Sequence, residues 1–191
     1  MNRYQKVGKG IRLVFIGQIC GVLSLYEIMV AISLLFFMAG LYLAARAEKK
    51  LWVAFWLEAG TLLLAVLETW FFYFPSLELI GIALHILGVF CICTVTSALL
   101  DEIGAGDTAR WGRAVWKIYA GGRIGLYVFS DALGLYGILV VDWLLLNVFV
   151  NLIFRFAVGF ILLLHLYNVS WKLEAAKTDE NSDSFREEKK L

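Results

Sequence analysis

The feature that most restricts this chain is a set of apolar runs, at about 8–26, 28–46, 51–73, 77–100, 119–141 and 143–170, separated by links that hold most of the charge. Crossing a bilayer takes about 20 apolar residues, with a range of roughly 17–25. Inside hydrocarbon every backbone N–H and C=O must find a partner within the chain, so such runs are helices. Of 191 residues, 61% are hydrophobic and 17% charged, against about 45–50% and about 25% in a soluble domain. The sequence therefore predicts an all-α integral membrane protein with six transmembrane helices. The first two runs leave only "SLYEIM" for their turn; the alternative is one interfacial helix plus one span. The basic start "MNRYQKVGKGIR" ahead of an apolar run resembles a signal peptide but lacks a small-residue cleavage site, so the segment is read as a permanent span.

Charge position sets the threading. Arg3, Lys6, Lys9 and Arg12 precede the first run. Arg46, Lys49 and Lys50 link the second to the third. Arg110, Arg113, Lys117 and Arg123 link the fourth to the fifth, and Lys172, Lys177, Arg186, Lys189 and Lys190 follow the sixth. With six spans, sixteen of the seventeen basic residues fall on one side, while the opposite turns carry Glu27, Glu78 and Asp142. Lys and Arg collect on the cytoplasmic side. Both termini are thus expected in the cytoplasm, with the protein in a plasma (inner) membrane. Trp52, Trp111, Trp116 and Trp171 fit the inner interface, and Trp70 and Trp143 the outer one. Pro75 falls in an outer turn, where a missing N–H costs nothing.

Residues 1–171 read as one transmembrane domain and 172–191 as a charged cytoplasmic tail too poor in hydrophobes to fold alone. In the link "DEIGAGDTARWGRAVWKIYAGG", Asp107 is placed to cap a helix over about 108–120, either a short interfacial helix on the inner leaflet or the cytoplasmic start of the fifth span, with Gly121 and Gly122 as a bend. Arg110, Arg113 and Lys117 share one face of it and Trp111, Val115 and Ile118 another. Lipid headgroups are the first partner this helix suggests, and a partner protein docking there or on the tail the second. Gly17 and Gly21, and again Gly121 and Gly125, form small-residue faces that allow close helix approach, within the chain or in a homo-oligomer.

The polar groups inside the runs are the candidate site. Arg155, in "NVFVNLIFRF", is the one basic residue off the cytoplasmic side. Counting from Asp142, Asp131 lies 11 residues before and Arg155 13 after, or about 16–20 Å along each helix. Asn147, Asn151 and Arg155 line one helix face; Arg123, Tyr127 and Asp131 line another. Two facing polar stripes predict an Asp131–Arg155 ion pair flanked by Asn147, Asn151 and Tyr127. It either fixes helix register or borders a ligand site. Glu58 is a candidate proton or cation site, and His85 and His165 are read as hydrogen-bonded packing residues at different depths. Cys20, Cys91 and Cys93 lack metal-ligand spacing, and no phosphate loop, zinc motif or nucleophile elbow occurs. No metal, cofactor or nucleic-acid partner is implied. The expected function is a non-enzymatic transport component or accessory membrane subunit with a polar mid-membrane site. The alternatives are an intramembrane enzyme on a lipid or membrane-soluble substrate, and a self-assembling structural protein.

Overall fold

The computed structural model describes residues 2–22, 27–70, 75–136 and 141–176, which form six α-helices and no strand. They are α1 (Arg3–Val22), α2 (Glu27–Ala47), α3 (Leu51–Trp70), α4 (Pro75–Glu102), α5 (Gly106–Tyr136) and α6 (Val141–Ala175). Local chemistry sets several ends. Asn2 Oδ1 accepts the Gln5 N–H at 3.0 Å and caps α1. Pro75 opens α4, where its fixed φ suits the first turn. Gly104 closes α4 with φ 75°. The Ala105 N–H then reaches Leu100 C=O at 2.8 Å and the Gly104 N–H reaches Asp101 C=O at 3.1 Å. This left-handed glycine cap satisfies carbonyls that the helix end would leave open.

Each helix packs on the next in sequence, α6 returns onto α1, and α4 touches α6 more lightly. The described residues thus form a closed ring. Its core runs through Val14, Leu41, Leu51, Val89, Val115 and Leu166, all buried. The α1–α2 interface is the tightest because glycines remove side chains from it. A Cβ on Gly10 would stand 2.6 Å from Ala44 N, one on Gly17 2.7 Å from Phe37 N, and one on Gly40 2.5 Å from Gly10 O. Ser33 Oγ uses this proximity to donate to Gly17 C=O at 2.7 Å. The Gly17 and Gly21 face therefore meets another helix of the same chain.

Ion pairs gather one end of the ring. The Arg3 guanidinium binds Glu48 (Nε to Oε2 2.9 Å) and approaches Glu102 at 3.6 Å, while Tyr4 OH donates to Glu102 at 3.0 Å. Arg12 pairs with Glu174 at 3.3 Å, Arg113 with Asp101 at 2.6 Å, and Lys172 Nζ donates to Thr108. The start of α1, the α2–α3 turn, the end of α4, the start of α5 and the end of α6 therefore meet at one basic end. Burial raises the Glu48 carboxyl pKa, but hydrogen bonds from Arg3 and the Lys50 N–H, with their charges, outweigh that and hold it below its ordinary value. Hydrogen bonding to Glu48 correspondingly raises Arg3.

Two stretches among the described residues are long and apolar enough to cross a membrane, Leu79–Glu102 and Phe156–Ala175; Ile32–Ala47 and Leu51–Leu67 are apolar but shorter. Less than half of either long stretch is buried within the fold, so their apolar surface is largely turned outward, as a membrane protein requires.

Two expectations need correction. Of the two readings of 108–120, the separate interfacial helix does not form: these residues are the first turns of α5, which continues unbroken through Gly121 and Gly122 without ending at the expected bend. The reason is packing. Ala109, Val115 and Tyr119 are buried, and Gly122 lies directly against Val158, so the helix is held on both sides of the glycines. Asp107 sits inside the first turn and pairs with Arg110 at 2.8 Å; it does not cap it. Trp111 and Ile118 are exposed while Val115 is buried, so the three do not form one outward face. The tail boundary also moves. Residues 172–175 continue α6, with Leu173 buried and Glu174 against Gly8 and Arg12. Residues 177–191 lie outside the described residues.

Candidate functional site

Three polar side chains from three helices meet inside the ring. Glu58 lies seven residues into α3, His85 ten into α4 and Tyr119 thirteen into α5. Each is surrounded by apolar residues, so each must find its partners within the protein. Glu58 Oε2 is 2.9 Å from His85 Nδ1, and Tyr119 OH is 2.8 Å from His85 Nε2. Glu58 and Tyr119 are buried, and the His85 ring meets the Tyr119 ring edge-on at 5.7 Å. With Nδ1–H donating to the carboxylate, Nε2 keeps a lone pair and accepts the Tyr119 O–H. A partner on each ring nitrogen holds the imidazole in orientation.

The second carboxylate oxygen, Glu58 Oε1, is buried and has no hydrogen-bond partner among the described residues. It points at Gly88, where any Cβ would overlap it. Gly88 is thus the gap in α4 that admits the carboxylate. Leaving such an oxygen bare costs about 1–3 kcal/mol, and more if it is charged. Oε1 is the oxygen of this set whose hydrogen-bonding capacity is unused among the described residues. Arg123 follows Tyr119 one turn later on α5.

A second buried pair lies nearer the basic end. Ser97 Oγ and both ring nitrogens of His165 are buried without a partner among the described residues. Both side chains abut the Gly112 backbone, where a Cβ would overlap Ser97 Oγ and stand 3.0 Å from His165 Nε2. His165 was expected to be hydrogen-bonded and has no such partner among the described residues. Thr96, close by on α4, follows the ordinary pattern, its hydroxyl donating to Ile92 C=O at 2.7 Å.

The backbone places Asp131 on α5 and Asn147, Asn151 and Arg155 on α6, but the side chains of these four lie outside the described residues, and with them the expected ion pair. Tyr127 is half-buried on α5. Of the expected site residues, Glu58 is the one whose surroundings are fully described. The residue missed as its partner is His85. The signal was present, because Glu58 lies 12 residues before the end of α3 and His85 10 after the start of α4. The depth count that pairs Asp131 with Arg155 pairs these two as well. Tyr119 extends the α5 stripe of Arg123, Tyr127 and Asp131 by one turn.

Comparison with known proteins finds no matching family, no similar curated protein and no similar solved structure. The chain is classed by its own architecture, as an all-helical ring of six helices with a buried carboxylate–imidazole–phenol set.

Proposed function

We propose that this chain is a six-span protein of the plasma (inner) membrane, with both termini cytoplasmic, that serves as a transport component or accessory subunit and holds an exchangeable proton at Glu58. The single observation behind this reading is a buried carboxylate with one oxygen tied to His85 and the other without a partner among the described residues. Taking up one proton changes the net charge of the Glu58–His85–Tyr119 set by one unit where water does not screen it, so the electrostatic consequence for α3, α4 and α5 is large. Intramembrane ionisable groups in such chains mark ion and proton routes. The basic end would then face the cytoplasm, where α5 or the tail offers a surface to a partner protein.

Infrared difference spectroscopy of the full chain in lipid vesicles, stepped in pH, tests the proton site. A protonated-carboxyl band should appear and vanish with pH, disappear in Glu58→Gln and shift in frequency in His85→Gln. A band indifferent to Glu58→Gln, or no pH-dependent band at all, would sink the reading and leave the set as a packing device.

A further inference from the structure

The ring is uneven. Among the described residues, α2 and α3 make the thinnest of the six neighbour contacts, although only a short turn separates them. An aromatic knot joins them beside that turn. Tyr42 meets Trp52 at 5.8 Å and Phe55 at 6.3 Å, and Trp52 stacks on Trp56 at 6.5 Å. Continuing from Tyr42 along its face of α2 gives Met38 and Leu35; continuing from Trp52 and Phe55 along theirs gives Trp56, Ala59, Leu63 and Val66. In a closed interface these would be buried. Instead Leu35 is 71% exposed, Trp56 67% and Leu63 59%. Met38 and Ala59 are half-buried, so beyond the knot these faces of α2 and α3 stay apolar and open, and we read the space between them as a cleft on a different side of α3 from Glu58.

The mouth of the cleft is basic. Arg46, Lys49 and Lys50 are exposed on the α2–α3 turn, with the Arg46 guanidinium 5.9 Å from the centre of the Tyr42 ring. The one acid in the turn, Glu48, is buried and already bound by Arg3 on α1. The turn therefore presents three cations with no free counter-charge directly over an aromatic-floored apolar cleft. Anionic headgroups are attracted by such juxtamembrane clusters, and the tryptophans suit the headgroup level.

We infer that the α2–α3 cleft is a binding site for an anionic phospholipid, with an acyl chain between Leu35 and Leu63 and the headgroup phosphate on Arg46, Lys49 and Lys50. It rests on the membrane-spanning reading but not on the proton site. The test uses the full chain in nanodiscs of phosphatidylcholine with an equal share of phosphatidylglycerol, followed by native mass spectrometry of retained lipid. The parent should retain phosphatidylglycerol in excess. Arg46→Ala/Lys49→Ala/Lys50→Ala should bring the two lipids to parity, and Ala59→Trp should lower total retention by filling the cleft. Arg110→Ala/Lys117→Ala, which removes exposed cations elsewhere at the same end, should leave the excess intact. No excess in the parent, an excess that survives the triple substitution, or a dimer retaining no lipid overturns the inference. Failure to enter nanodiscs at all would overturn the membrane reading itself.

Discussion

Gly88 is the residue on which the polar set depends most directly. It has no side chain, and Glu58 Oε1 occupies the space one would need. Gly88→Ala should displace the carboxylate, break its 2.9 Å contact with His85 and destabilise the fold by about 1–3 kcal/mol, the usual cost of overpacking. Thermal unfolding in detergent measures the loss, and the infrared carboxyl band reports the displacement. Tyr119→Phe keeps the ring but strands His85 Nε2, and should cost about 1–3 kcal/mol. At the basic end Glu48 carries the pH dependence. Its pKa is lower in the folded chain than its ordinary 4.5. Its contribution to stability is therefore complete above that value and is lost as pH falls through the folded-state pKa. Acid unfolding monitored by tryptophan fluorescence should show this loss, and Glu48→Gln should flatten that part of the curve.

At the scale of elements, glycines decide where helices touch, and the surroundings give them opposite signs. Gly121 has open space where a Cβ would go, whereas a Cβ on Gly122 would overlap the branched, stiff side chain of Val158. Gly121→Ala should therefore stabilise α5 by about 0.5–1 kcal/mol through helix propensity. Gly122→Ala should destabilise the α5–α6 pair despite the same propensity gain. Paired thermal melts of the two variants check both signs. Gly40→Ala is more severe, because its Cβ would meet the backbone of α1, at Gly10 O and Val14 N, and backbone cannot rotate away. Two adjacent glycines suggested a bend between an interfacial helix and a span. One of them is instead a packing contact, and that depends on Val158, 36 residues away.

At the scale of the molecule, the alternation of basic and acidic links becomes one end of a ring. Arg3, Glu48, Glu102 and Arg12, Glu174 bring together chain segments up to 162 residues apart. If that end faces the cytoplasm, single cysteines placed at Asn2 and Ala176 should be protected from an impermeant maleimide in intact cells and react after lysis. One at Pro75 should react without lysis. Labelling of all three on the same side would refute six spans. The six long apolar helices, the register of charge along the chain and the location of Glu58 inside a helix were legible in the sequence, because each follows from local periodicity. The expected interfacial helix and the point where the tail begins were misjudged, because burial of Ala109 and Leu173 against other helices extends α5 and α6 past where hydropathy alone would stop them.

The sequence by itself determined that the chain is helical, that its long apolar runs lie in helices and which links gather charge, since hydrophobic runs and backbone hydrogen bonding act over a few neighbouring residues. The tertiary structure alone decided that Glu58 meets His85 and Tyr119, that Gly88 makes room for it, and that Leu35 and Leu63 stay exposed where α2 and α3 make sparse contact. Those outcomes depend on the rotation and tilt of each helix against its neighbours. Side-chain volumes at distant positions set both, and no local pattern encodes them.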